Sequence, residues 1–92
     1  MARVTWFRQA LAKLELIEAY VGQFDPDAAH RIATRLFEAG NSLAVFPNRG
    51  RLAKYGTRAL VIVRPYVLLY EVDGDKVSIL DIVHAAQLGD SD

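Results

Sequence analysis

Two hydrophobic periods run along this chain, and the point where one gives way to the other separates its helices from its strands. Residues 2 to 6, ARVTW, alternate weakly and carry Val, Thr and Trp, which suit a pleated, half-buried surface and predict a short first strand. From Phe7 the period lengthens. Ala10, Leu14, Ile17 and Val21 recur at spacings of 4, 3 and 4, with Leu11, Tyr20 and Phe24 widening the stripe. That pattern predicts an amphipathic helix of about four turns. Arg8, Glu15, Glu18 and Gln23 fall mostly off the stripe and face water, and Phe7 stands where a capping side chain would help. Asp25-Pro26-Asp27 is a strong start signal, because Asp accepts from free backbone N–H groups and Pro has none to lose. The second helix carries Ala29, Ile32, Leu36, Ala39, Leu43 and Phe46 at spacings of 3, 4, 3, 4 and 3, the most regular run in the chain. Gly40 inside it costs about 1 kcal/mol relative to Ala, and the short connection predicts an antiparallel helical hairpin.

Pro47 to Gly56 reads as a loop, after which the period becomes two. Thr57, Ala59, Val61 and Val63 point one way, and Arg58, Leu60, Ile62 and Arg64 the other. Pro65 marks a bend or an edge, since it cannot donate to a ladder. The next strand, Tyr66 to Val72, sets Tyr66, Leu68, Tyr70 and Val72 opposite Val67, Leu69 and Glu71. A tight turn at Asp73-Gly74-Asp75 leads to the last strand, from Lys76 to about Ala85. Strict alternation there places Val77, Ile79, Asp81 and Val83 on one face and Ser78, Leu80, Ile82 and His84 on the other. The fold class is therefore α+β: an N-terminal strand, a helical hairpin, then an antiparallel three-strand meander. A helical hairpin covers one face of such a sheet. The second face is expected to expose apolar side chains and to call for another occupant.

Composition narrows the chemistry. Ninety-two residues allow one domain, with an ordered core over about residues 2 to 88 and a short acidic tail expected to fray. The absence of cysteine removes disulfides, thiolate zinc sites and a cysteine nucleophile, and no cofactor fingerprint or metal-ligand spacing is present. The N-terminus lacks a signal-peptide core and no stretch is long enough for a membrane span, so the expected compartment is cytoplasmic. Eleven bases balance eleven acids, yet residues 39 to 70 hold Arg49, Arg51, Lys54, Arg58 and Arg64 and no acid. A local basic segment survives inside a neutral protein, and it either solvates a sheet edge or receives an anionic partner.

Few residues carry a chemical signal. His30 lies on the polar side of the second helix and reads as a surface residue. His84 ends the last strand and is open to two readings: an acid or base working with arginines on phosphate, or a strand-end histidine bonded to backbone. Tyr66 and Tyr70 share a face and suit either base stacking or the core. Arg58 and Arg64 flank Leu60 and Ile62, which describes an apolar strip with cationic ends, suited to an amphipathic acidic segment.

Taken in order, these features resemble the ParE branch of the RelE/ParE toxin superfamily, the toxins of bacterial type II toxin–antitoxin modules. The resemblance spans residues 3 to 87. It rests on Val4-Thr5-Trp6; on Ala10, Leu14, Ile17 and Tyr20; on Ala28-Ala29; on Leu43, Pro47 and Gly50-Arg51; and on Gly56-Thr57-Arg58. It continues through Pro65-Tyr66-Val67-Leu68-Leu69-Tyr70, Val77-Ser78-Ile79-Leu80 and His84-Ala85-Ala86-Gln87. The chain departs from the family at Phe7, usually Ser; at Lys13, where Asp is common; at Ala59, where Glu often follows the Arg; at Asp81, where a basic residue is frequent; and at its end, which lacks the usual aromatic residue. The resemblance implies a two-layer toxin that poisons DNA gyrase by protein contact rather than by enzymatic action. A ribbon-helix-helix, ParD-like antitoxin is expected to bind across its sheet and helices, and neither direct nucleic-acid binding nor membrane association is expected. The expected antitoxin- or target-binding residues are Arg49, Arg51, Arg58, Leu60, Ile62, Arg64, Tyr66, His84 and Gln87. The alternatives are a ribosome-dependent messenger-RNA endoribonuclease using His84, Arg58 and Arg51, and a non-toxic antitoxin-binding member.

Overall fold

The computed structural model of the chain describes residues 1 to 88, so the expected acidic tail from Gly89 lies outside the described residues. Strand β1 (Arg3–Trp6) leads into helices α1 (Arg8–Gly22) and α2 (Pro26–Asn41). Strands β2 (Arg51–Leu52), β3 (Arg58–Leu60), β4 (Tyr66–Asp73) and β5 (Lys76–His84) follow. The sheet order is β1-β5-β4-β3-β2, and β1 pairs parallel with β5 while the other neighbours are antiparallel. The expected α+β architecture and the meander are present, and the sheet gains a two-residue edge strand in what reads as loop.

Local chemistry accounts for the helix ends. Asp25 caps α2, its Oδ1 accepting from the Ala28 N–H at 3.1 Å, with Pro26 at the first helical position. At the start of α1, Phe7 has extended backbone and no side-chain cap, and its N–H instead donates to the Ile79 carbonyl at 2.9 Å. The periodicity of α2 runs on to Phe46, but the α-helix stops at Asn41 and continues as a 3-10 turn over Ser42–Ala44. Leu43 is still buried, while Phe46 is exposed.

The core lies between the helical hairpin and one face of the sheet. It joins Ala10, Leu36, Ala39 and Leu43 to Leu60, Leu68, Tyr70, Val77, Ile79 and Ile82, with Val4, Trp6, Leu14, Ile17 and Ile32 packed against it. Ile82 belongs to this set against strict alternation. Leu69 pairs with Asp81 and Tyr70 with Ile79, so Leu80 is the extra residue of a β-bulge, and beyond it the facing residues change parity.

Gly40 explains a residue that looks like a weak point in α2. An added Cβ would stand 2.3 Å from Cζ2 of Trp6 and 2.7 Å from Cδ1 of Ile79, so the missing side chain is what lets the indole seat against the helix. Trp6 is fixed there by its Nε1–H bond to Asn41 Oδ1 at 3.0 Å and by stacking on Phe37 at 5.2 Å between ring centres.

Two expectations about the sheet are overturned. Strand β3 ends at Leu60, because the chain bends through residues 61 to 65 into a cis Arg64–Pro65 peptide, so the predicted strand from Thr57 to Arg64 is cut to three residues. The second face of the meander is also not the exposed apolar surface: Val67 is buried, Leu69, Leu80 and Val83 are half-buried, and no large apolar residue of β4 or β5 is exposed.

Candidate functional site

The exposed apolar surface lies mainly on α1 and in the chain between the helices and β4. On α1, Leu16, Tyr20 and Phe24 are 62%, 63% and 73% exposed. They are spaced at i, i+4 and i+8, and so form a row along one flank of the helix and its C-terminal end. Tyr20 and Phe24 meet edge to face with ring centres 5.5 Å apart. The sequence reading placed Leu11, Tyr20 and Phe24 in the buried stripe; the sheet is covered by Ala10, Leu14 and Ile17 instead, and the wider flank remains open.

Beside that row runs a groove of about 290 Å³. Lys13, Leu16, Ile17 and Tyr20 form one wall, and Tyr66, Ile82, Val83, His84 and Gln87 form the other. Its walls are mostly apolar, and its polar groups are few and placed. At its end, the His84 N–H donates to Gln87 Oε1 at 2.8 Å, and the Ala86 N–H donates to His84 Nδ1 at 3.1 Å. This is the backbone-bonded strand-end histidine, and Tyr66 packs edge to face against it at 6.4 Å. The terminal 3-10 turn over Ala85–Leu88 is tied back by the Ala85 N–H bond to the Pro65 carbonyl at 2.8 Å.

Lys13 and Asp81 hold the two walls together. The Lys13 ammonium lies 3.1 Å from Asp81 Oδ1 and donates also to the Ile82 carbonyl at 3.3 Å. Gln9 Nε2 donates to Asp81 Oδ2 at 2.8 Å, and the Ile82 N–H to Oδ1 at 2.8 Å. Two of the departures noted in the sequence are therefore one feature, an ion pair between α1 and β5 with its signs set by Lys13 and Asp81.

The arginines do not form the predicted strip. Arg58 and Arg64 share no strand face because β3 ends between them, Leu60 is in the core, and Ile62 lies in the bend. Arg58 turns to the preceding loop, its Nη1 donating to the carbonyls of Gly50 at 2.7 Å and Asn48 at 3.3 Å. Arg49 Nη1 donates to Ser42 Oγ at 2.7 Å, which ties the same loop to the end of α2. Arg51 is exposed on edge strand β2, and Arg64 is exposed at the bend. Tyr70 completes the loop anchor: wholly buried, it donates to the Pro47 carbonyl at 2.8 Å and accepts from the Gly50 N–H at 2.9 Å. A Cβ on Gly50 would stand 2.7 Å from that hydroxyl, which accounts for glycine there.

Of the expected site residues, the structure brings Tyr66, His84 and Gln87 together, leaves Arg49, Arg51 and Arg58 elsewhere, and sets Arg64 in the bend next to Pro65, whose carbonyl accepts from the Ala85 N–H. His84 is paired with Tyr66 across β4, while Arg58 is paired with Tyr70. Four residues of strand separate them by about 13 Å along β4, and β3 and β5 lie on opposite sides of it. Among the described residues no group of three or more His, Cys, Asp and Glu side chains is placed to hold a metal. No helix among them is long and apolar enough to cross a membrane. Sequence reasoning missed Leu16 and misplaced Tyr20 and Phe24; their shared spacing of four was the available signal.

A strand, a helical hairpin and a meander in this order make up the class of small α+β toxins found in toxin–antitoxin modules. The structure matches the solved chromosomal ParDE TA system from P. aeruginosa with a TM-score of 0.80 and 26% identity, over 91% of this chain and 96% of that one. The chain belongs to the family of ParE toxins of the type II toxin–antitoxin system parDE, whose model matches residues 4–89. It is similar to Toxin RelE2 of Caulobacter vibrioides, with 52% identity over 88 residues, 96% of this chain and the whole of that protein.

Proposed function

We propose that the protein acts as a non-enzymatic toxin that poisons DNA gyrase by protein contact and is neutralised by an antitoxin seated on α1 and in the groove beside it. The observation that carries the antitoxin site is the exposed row Leu16, Tyr20 and Phe24 running along an apolar groove. An amphipathic segment laid there would bury side chains that water now covers. A ParD-like partner with a ribbon-helix-helix domain fits the relationship to a solved ParDE system.

Support for a protein target comes from where the sheet sets the groups a nuclease would use. A nuclease built on His84, Arg58 and Arg51 needs its acid–base group and its phosphate-binding cations within reach of one phosphate. His84 lies instead at the far end of β4 from Arg58, and Arg58 is bonded to loop carbonyls. Zero net charge also suits a protein target better than ribosomal RNA.

Induced expression, purified-gyrase supercoiling and transcript sequencing test the reading together. Growth arrest relieved by the antitoxin encoded beside it, inhibited supercoiling and intact messages are expected. Codon-positioned message cleavage lost in His84→Ala would sink it in favour of the nuclease.

A further inference from the structure

Away from the groove, residues 53 to 57 join β2 to β3 at the free edge of the sheet. Tyr55 stands at the tip of this loop, 95% exposed, with φ 60 and ψ 34. A tyrosine keeps that left-handed backbone only where its surroundings hold it. Three bonds do so. The Ala53 N–H donates to the Thr57 carbonyl at 2.8 Å, the Thr57 N–H to the Lys54 carbonyl at 3.2 Å, and Thr57 Oγ1 to the same carbonyl at 2.7 Å. This clamp presents the ring without covering it. Lys54 is exposed beside it with no ion pair among the described residues, and Leu52 is exposed just before the loop. The segment from 39 to 70 contains no acid, and the next acids along the chain, Glu71 and Asp73, lie on β4, two strands in from the β2 edge.

We propose that this loop is the surface through which the toxin engages its cellular target, with Tyr55 seated in a pocket on an acidic protein surface that pairs with Lys54. The proposal rests on the reading above for the partner being a protein. Strand register places the loop away from the antitoxin groove: it precedes Arg58, which pairs with Tyr70, while the groove is lined by Tyr66 and His84 at the other end of β4 and β5. Tyrosine is among the residues that most often anchor protein interfaces, because its ring buries a large area at little cost in side-chain freedom, and a neighbouring charge adds steering and specificity. Nucleic acid fits less well. The loop itself offers one exposed ring, Arg49 and Arg58 are engaged within the fold, and Leu52 would gain nothing from phosphate.

Tyr55→Gly, Tyr55→Phe and Lys54→Glu test this in growth-arrest assays and in purified toxin–antitoxin complex. Glycine takes φ 60 without strain, so Tyr55→Gly removes the ring and leaves the loop folded. The expected result is loss of arrest in Tyr55→Gly, retention in Tyr55→Phe, and target affinity lowered about tenfold or more in Lys54→Glu, with antitoxin binding unchanged in all three. Full arrest by Tyr55→Gly overturns the proposal, as does loss of antitoxin binding in the same variant. RNA retention in a gel shift that Lys54→Glu abolishes assigns the loop to nucleic acid and overturns it too. If the wild-type protein arrests growth but leaves supercoiling by purified gyrase intact, the gyrase reading falls, and the Tyr55 variants still judge the loop. A wild-type protein that arrests nothing overturns the loop proposal outright.

Discussion

At the scale of single residues, Gly40 shows how packing reverses a helix-propensity argument. Alanine at a helix interior is favoured over glycine by about 1 kcal/mol, so sequence alone expects Gly40→Ala to stabilise. A Cβ there would meet the Trp6 indole at 2.3 Å, and the indole is held by Asn41 and Phe37. Gly40→Ala is therefore expected to destabilise by roughly 1–3 kcal/mol, read as a lower midpoint in chemical denaturation. The Lys13–Asp81 pair gives a second case. It is only partly shielded, with side chains 35% and 18% exposed, so its own contribution is small, but Asp81 also holds the Ile82 N–H and Gln9. Either single reversal sets two like charges together, but Asp81→Lys alone should cost more than Lys13→Asp alone, because it also removes the acceptor of the Gln9 amide and the Ile82 N–H. The reversed double variant should recover part of that loss, and a double-mutant cycle on thermal unfolding measures how much.

At the scale of elements, α1 has two flanks with different roles. Ala10, Leu14 and Ile17 close the core, whereas Leu16, Tyr20 and Phe24 face outward next to the groove. Replacing Leu16 and Tyr20 with Ser removes side chains the fold barely uses. The denaturation midpoint should stay nearly unchanged while antitoxin affinity drops by about tenfold or more, measured by calorimetric titration. A large loss of stability with unaltered antitoxin binding would refute the assignment of that flank. The sheet elements teach the complementary lesson: β3 is short because the chain bends before Pro65, and β5 changes parity at Leu80 because a bulge lets Ile82 reach the core.

At the scale of the whole molecule, the groove and the Tyr55 loop sit toward opposite ends of the strands, so a partner in one does not by its position cover the other. The free toxin exposes the row Leu16, Tyr20 and Phe24 beside the groove, and Phe46 and Leu52 besides. Light scattering should detect concentration-dependent association of the isolated chain and its disappearance on adding antitoxin. At a free antitoxin concentration of 100 times Kd the native state should gain about 2.7 kcal/mol, seen as a raised Tm. A free chain that stays monomeric at high concentration and gains no Tm on adding antitoxin would count against the docking surface.

The sequence by itself determined the order and kind of the elements, because each is written in a local period: fours and threes through Ala10–Val21 and Ala29–Leu43, twos through Tyr66–Val72, with Asp25-Pro26 as a start signal. The family resemblance was legible for the same reason, since its motifs are local. Of the site, only the closeness of His84 to Gln87 was written in the sequence; that Tyr66 stands across from His84 follows from the β4–β5 register. Only the tertiary structure decided which apolar residues are covered. Periodicity set Tyr20 in the covered stripe of α1 and Leu60 in an open strip between Arg58 and Arg64, and the structure reverses both, because burial depends on partners dozens of residues away. The parallel pairing of Arg3–Trp6 with Lys76–Ile79, the edge strand Arg51–Leu52 and the capture of Arg58 by loop carbonyls are likewise non-local. A sequence sets the pattern that each element offers; which face remains open is set by what packs against it.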